Sequence, residues 1–343
     1  MNRRIWMSNV QGRKRVAFKK TVLAIGLLLQ CLAYANTSVA GAELPSSSVV
    51  NYQAETGYYT FKLGTYEITV ISDGTVPQDL HVLLKGASQK TVDGLLSQVH
   101  LHNPVEASIN VFLINTGKKL ILVDTGAGDF FGKGFGGKFS ERLNKLGVKP
   151  EDISDILITH IHTDHTGGLV HEGKAVFPNA NIYVGKADIA FFLDAKNKNG
   201  VNGYDKAYFQ QAQTAMQPYV ALDHVKPLGG EQKILADFTA YPTPGHTPGH
   251  YYYRLESQGQ SITFIGDSVH VEAVQFPHPD ITITYDVDQA SAAKQRQAQF
   301  AQLAKSSAMI AAPHLPYPGI GYINAQKTGF TFIRAEYHDR QGL

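Results

Sequence analysis

Short apolar or alternating runs bounded by Gly, Asn, Asp and Pro recur along this chain, and each is of strand length. Those at Tyr58 to Leu63, Tyr66 to Ser72, Ala107 to Asn115 and Leu120 to Asp124 predict four early strands. Later strands are predicted at Asn181 to Val184, Phe238 to Pro242, His250 to Glu256, Ser261 to Gly266 and Ala308 to Ala312. Helical spacing appears instead at Phe139 to Leu146, Lys186 to Leu193, Asp205 to Met216 and Asp288 to Lys305. The two element types do not alternate as regular βαβ units. That order favours an α+β architecture, with sheets packed face to face and helices outside, over a doubly wound sheet. Residues 43–57 read as an irregular arm, and no Pro/Ser or charge-run linker divides the rest of the chain, so residues 43–343 read as one domain.

The first 42 residues break this pattern. Arg3, Arg4, Arg13, Lys14, Arg15, Lys19 and Lys20 precede an apolar segment from Val22 to Leu32. Ala33-Tyr34-Ala35 and Ala40-Gly41-Ala42 then carry the small-x-small spacing of a signal-peptidase site, with cleavage expected after Ala35, Ala40 or Ala42. Gly26 and Gln30 interrupt the segment, which is short for a membrane span. Residues 1–42 therefore read as an export signal peptide, the expected destination is periplasmic or secreted, and no stable membrane span is expected after its removal. Cys31 as a lipid anchor is disfavoured by the Gln30 before it.

Removing that segment reverses the charge. The whole chain sets 31 Lys and Arg against 29 Asp and Glu; seven of the basic residues and none of the acidic ones leave, so 24 face 29, a balance of −5. A mildly acidic chain is a poor match for nucleic acid, which argues against a nuclease. The sole cysteine, Cys31, leaves too, so the exported part has no disulfide, no thiolate ligand and no cysteine nucleophile.

The chemistry concentrates at Thr159-His160-Ile161-His162-Thr163-Asp164-His165-Thr166-Gly167-Gly168, directly after Ile156-Leu157-Ile158. A strand delivers His160 to its end, and a tight turn swings His162, Asp164 and His165 about one point. Neutral imidazoles and carboxylates are donors for borderline-soft divalent ions. Distant residues answer the cluster: Asp124, Asp267 and His314 each come after an apolar run, and His246 sits on the Gly/Pro turn Gly245-His246-Thr247-Pro248-Gly249-His250. Seven donors suit two ions better than one. The expected assignment is His160, His162 and His246 to the first ion, Asp164, His165 and His314 to the second, with Asp267 bridging and a hydroxide between the ions as nucleophile. Asp164 and Asp267 are thus also the expected catalytic carboxylates. The expected cofactors are two divalent transition-metal ions per chain, Zn2+ first, with manganese, iron and cobalt accepted by the same donors. Asp124 is expected to orient a ligand histidine through its free N–H, His250 to support its turn, and His270 to face substrate. His81, His100, His102, His171, His224, His278 and His338 lack such surroundings.

Together, Asp124-Thr125-Gly126, the His160 to His165 cluster, the Gly245 to His250 turn, Gly266-Asp267 and His314 resemble the metallo-β-lactamase superfamily over almost all of the chain beyond the signal. The resemblance implies an αββα sandwich, two mixed sheets flanked by helices, with a dinuclear site at the sheet edge. Val70 to Val76, Ala273 to Phe276 and His314 to Gly321 make the chain most similar to methyl parathion hydrolase-type enzymes, which cleave organophosphate triesters. That similarity implies an aromatic leaving-group pocket lined by Phe131, Phe192 and Tyr208 or Phe209; Phe192 stands where a Trp is expected in that family. A homodimer is implied by resemblance alone. The alternative activity is a lactonase or aryl esterase with incidental triesterase turnover. Quorum-signal lactonases usually carry a Tyr three residues after the bridging Asp, where this chain has His270. Glyoxalase-type thioesterases and β-lactamases fit less well: only 29 residues lie beyond His314, and β-lactamases usually lack the Asp of Gly266-Asp267. A metal-binding or adhesive protein on a hydrolase scaffold is disfavoured by the complete donor set.

Overall fold

The computed structural model describes residues 57–201 and 204–337. The proposed signal and nearly all of the arm at 43–57 lie outside the described residues. Strands β1 (Tyr58–Leu63), β2 (Tyr66–Gln78), β3 (Val105–Asn115), β4 (Leu120–Val123), β5 (Ile153–Leu157), β6 (Asn181–Gly185) and β7 (Val225–Leu228) form one seven-stranded sheet in chain order. Pairing is antiparallel from β1 to β4 and parallel from β4 to β7. A second seven-stranded sheet runs β8 (Gln232–Leu235), β9 (Phe238–Pro242), β10 (Tyr251–Ser257), β11 (Gln260–Phe264), β12 (Met309–Ala311), β13 (Ile320–Ala325) and β14 (Phe330–Arg334). Within it only β11 and β12 pair in parallel.

The sheets stack with both faces covered, which is why so many strands are apolar at successive positions. Val70, Phe112, Ile121, Val123 and Leu157 of the first sheet meet Phe238, Tyr253, Leu255, Ile262, Phe264 and Ala311 of the second. Their chain neighbours Ile71, Val111, Leu113, Leu122 and Ile156 face outward, under α2 (Phe139–Lys145), α3 (Lys186–Phe192) and α4 (Lys206–Ala221), with α1 (Gln89–Ser97) elsewhere in the fold. On the far side Tyr252, Ile310 and Ile323 pack against Phe300 and Leu303 of α5 (Gln289–Ser306). Four layers in the order helix, sheet, sheet, helix result. No helix among the described residues is long and apolar enough to cross a membrane.

Several elements were not expected from the sequence. Helix α1, between β2 and β3, packs Val92 and Leu96 onto Val274 and Ile283. Strand β7 carries Pro227 and lies at a sheet edge, where the missing N–H costs no ladder bond. The β13–β14 hairpin completes the second sheet, and its alternation Phe330-Thr331-Phe332 was a legible signal. Parallel pairing of β4 with β5 and of β11 with β12 places the ends that precede Asp124, His160, Asp267 and His314 along one edge.

Candidate metal centre

Beyond β5, the loop through Thr159 and His160 leads into a single helical turn, Thr163–Thr166, that places Asp164 and His165 beside His160. The backbone of the Asp124 loop presses on the end of that turn. A Cβ on Gly167 would lie 2.1 Å from the Ala127 carbonyl, and one on Gly168 2.0 Å from the Thr125 carbonyl, so this contact demands glycine twice. From the other side the buried Asp188 accepts from the Ile161 N–H at 2.9 Å, the Thr247 hydroxyl at 2.8 Å and the Gly249 N–H at 2.6 Å. It thereby ties the His160 loop to the turn bearing His246. Burial pushes its carboxyl up to about 6 despite those donors.

Three imidazole nitrogens meet at one point: His160 Nε2 and His162 Nδ1 are 2.9 Å apart, and His246 Nε2 lies 3.2 Å and 3.0 Å from them. Ligands about 2.0–2.1 Å from a tetrahedral ion are spaced by roughly 3.3 Å, so these contacts have the dimensions of a coordination polyhedron. Beside them, His314 Nε2 is 3.4 Å from Asp164 Oδ2, and His165 Nε2 is 3.6 Å from Asp164 Oδ1. Asp267 stands between the groups. Its Oδ2 is 3.3 Å from His246 and 3.1 Å from His314, while its Oδ1 is 3.3 Å from His165.

The opposite nitrogens explain why lone pairs point inward. His165 Nδ1 bonds Asp124 Oδ2 at 2.8 Å, His246 Nδ1 bonds Asp286 Oδ1 at 2.8 Å, and His314 Nδ1 bonds the Ser108 carbonyl at 2.8 Å. With Nδ1 committed to those acceptors, Nε2 is the nitrogen each imidazole turns to the cluster, and a cation there takes the place of the proton that the surrounding carboxylates favour. The Thr159 hydroxyl donates to Asp124, so His160 Nδ1, 3.1 Å away, donates to Thr159. Tyr204 donates to the Tyr285 carbonyl at 2.6 Å and therefore receives His162 Nε2–H at 2.6 Å. All five tautomers converge. His165 Nε2 and Asp267 Oδ1 are buried and have no hydrogen-bond partner among the described residues. Unsatisfied groups cost about 1–3 kcal/mol each, and a cation between them removes that penalty. The donor set fits divalent metal.

Charge obeys the same logic. Burial disfavours protonation of His160 and His162 and holds both well below the usual imidazole range. Burial also opposes protonation of His246, yet hydrogen bonds to Asp267 and Asp286 outweigh it and push that group up to about 9. Burial raises Asp267, but the imidazoles around it, His165 foremost, hold it well below the usual carboxylate range. An anionic Asp267 amid imidazoles is the state that receives a cation. His250, pushed by burial down to about 3, is neutral; its Nε2 accepts the Asp267 N–H at 3.0 Å, so it holds Asp267 as well as its own turn.

A cavity of about 170 Å³ opens onto the donors, lined by Phe131, Tyr208, Tyr285 and His270 together with Asp164, Asp267 and His314. Phe131, Tyr208 and His270 line this cavity. Phe192 and Phe209 do not: both are fully buried in the core beneath the first sheet's helices, with Phe192 packed edge-on against His162. They support the site from behind. His270 also sits deeper than expected, with Nε2 3.1 Å from Asp267 Oδ2 and its ring stacked on His314. Sequence reasoning missed Asp188, Tyr204 and Asp286, whose partners lie 27 to 81 residues away. Tyr204→Phe is expected to weaken zinc roughly 10-fold by removing the group that fixes His162, measured by competition with a chromophoric chelator; unchanged affinity would discount that contact.

A hydrolytic metal centre at the edge of an αββα sandwich defines a class, and the chain belongs to it: residues 105–314 match the Metallo-beta-lactamase superfamily. It is a metal-dependent hydrolase of that superfamily. The structure is similar to that of AbOPH, described as a hydrolase in the beta lactamase superfamily, at 37% identity and TM-score 0.78, covering 82% of this chain and 99% of that one. It is also similar to AidC, a dizinc quorum-quenching lactonase seen with its product N-hexanoyl-L-homoserine, at 28% identity and TM-score 0.75 with the same coverage. A probable metallo-hydrolase of Mycobacterium tuberculosis is 25% identical over 183 residues, 47% of this chain, and the match spans 56% of that relative's length.

Proposed function

We propose that His160, His162 and His246 hold one divalent ion, that Asp164, His165 and His314 hold a second, and that Asp267 bridges them. On this reading the centre hydrolyses neutral esters with aromatic leaving groups, organophosphate triesters such as methyl parathion first among them. Zinc is the expected ion. Bound there, divalent metal supplies Lewis acidity and a nucleophilic water at neutral pH. The observation that carries the substrate class is the cavity wall. Its described lining residues include no Lys or Arg, while Phe131, Tyr208 and Tyr285 present aromatic surface. A substrate bearing its own carboxylate or phosphate charge finds no cationic side chain there; a neutral aryl ester finds stacking partners. Similarity to AbOPH supports the same reading.

Lactone hydrolysis is the second reading, favoured by similarity to AidC and by two phenols. A lactone alkoxide needs a proton as it leaves, whereas a nitrophenolate departs unaided. Burial raises the phenols of Tyr208 and Tyr285, so both stay protonated at neutral pH, and neither hydroxyl has a hydrogen-bond partner among the described residues. The separating measurement is kcat/KM on matched aryl phosphotriesters, acyl-homoserine lactones and aryl esters. Triesters are expected to lead; lactones ahead by orders of magnitude would replace the first reading with the second. Export to the periplasm or medium is part of the proposal and rests on the composition of residues 1–42. The mass of the exported chain reads whether that segment is removed.

A further inference from the structure

Asp73 lies on β2 where the register with β3 breaks, between the pairs Ser72 with Asn110 and Gly74 with Ile109. A bulge turns its extra residue out of the strand's alternation. The Asp73 side chain is fully buried, and no ion pair holds it among the described residues. Its partners are backbone. The Ala127 and Gly137 N–H groups each donate to Oδ2 at 2.9 Å, the Phe139 N–H donates to Oδ1 at 2.8 Å, and the Lys138 N–H donates to the Asp73 carbonyl at 3.0 Å.

Ala127 and Gly137 are the two feet of the segment 128–136. One carboxylate therefore closes that loop, and the closure is tight. A Cβ on Gly126 would lie 2.6 Å from Asp73 Cγ, and one on Gly136 2.9 Å from its Oδ2. The tip is held far less. Its backbone bonds are local turns, Phe130 to Ala127, Gly132 to Asp129 and Phe135 to Gly132, and beyond them it has the exposed His171–Asp129 contact at 2.9 Å. Gly132 and Gly134 have open space around them. Yet this loop carries Phe131 into the cavity over the donor cluster. A buried carboxylate without a cation costs several kcal/mol unless charged hydrogen bonds offset it, and a plain strand needs none.

We propose that Asp73 is a positioning residue that, by clamping the feet of the 128–136 loop, sets Phe131 against the reacting centre and so selects substrates by the bulk of their aromatic or acyl group. The selectivity part rests on the ester-hydrolase reading; the clamp does not.

The test uses Asp73→Asn, Phe131→Ala and the double variant on whichever substrate class the wild type turns over fastest, comparing a bulky member with one carrying methyl in its place. Each single variant is expected to raise KM for the bulky member ~10-fold, the size of one lost aromatic contact, with kcat and metal content nearly unchanged. The small member's KM rises by less, and the double variant is no worse than either single one. Amide hydrogen exchange on the wild type needs no substrate. Ala127, Gly137 and Phe139 are expected to be protected like the sheet while Gly132 to Phe135 exchange quickly, and Asp73→Asn is expected to release the feet and admit trypsin at Lys133. Equal KM losses on both substrates, multiplicative losses in the double variant, or feet that exchange as fast as the tip would each overturn the clamp. If Asp73→Asn does not fold, wild-type exchange and Phe131→Ala kinetics still decide.

Discussion

Asp267→Asn is expected to lower kcat by about 10³-fold, roughly 4 kcal/mol of transition-state stabilisation, and to drop bound metal from about two ions per chain toward one. The reason is position. A single carboxylate faces His246 with Oδ2 at 3.3 Å and His165 with Oδ1 at 3.3 Å, so both donor groups share its charge. Asn keeps the volume but replaces a charged donor with a neutral amide, and the same nitrogens then crowd a site with less compensation. Metal analysis on zinc-replete wild type and variant, beside turnover, checks it. Near-normal turnover with two ions retained would refute the bridge, and no more than one ion in replete wild type would sink the dinuclear assignment itself.

Arg296→Met is expected to cost about 3–5 kcal/mol of stability, the range for breaking a buried, hydrogen-bonded ion pair. Arg296 is 2% exposed, and its guanidinium donates to the carbonyls of Ser268 at 2.6 Å, Pro279 at 2.9 Å and Ile281 at 3.0 Å, and to Asp286 Oδ2 at 3.4 Å. Methionine fills the space without offering a donor, so the Ser268 and Pro279 carbonyls lose their side-chain donor, the Ile281 carbonyl keeps only Gln275, and Asp286 loses its cation while keeping the Ile283 N–H. Because Asp286 also holds His246 Nδ1, the variant is expected to bind metal more weakly as well. Urea unfolding with zinc and with a chelator separates the two effects. A loss below about 1 kcal/mol in chelator would show that the carbonyls find other donors.

The donor residues were legible because their signal is local. Apolar runs of strand length that end on Asp124, His160, Asp267 and His314 needed no tertiary information, and three imidazoles within six positions leave few other uses. Both flanking layers and the face-to-face sheets came from the same runs, down to β9 at Phe238–Pro242. The partners of the histidines were not legible. Asp286 reaches His246 across 40 residues and Tyr204 reaches His162 across 42, and nothing in the intervening chain marks either pair.

The sequence by itself determined the chemistry: seven imidazole and carboxylate donors, an order of elements that stacks two sheets, and therefore a metal-dependent hydrolase. Tertiary structure decided the cavity. Tyr208 and Phe209 are neighbours on α4, where successive side chains diverge by about 100°, so one can face the centre only if the other turns away. The fold buries Phe209 completely and gives Tyr208 to the cavity, and it places Phe192 behind His162 rather than in front of it. Donor type is a property of one residue and survives in a linear sequence. Which side of a helix meets a pocket depends on how that helix is rotated against a sheet built from strands far along the chain, and that phase exists only once the layers have packed.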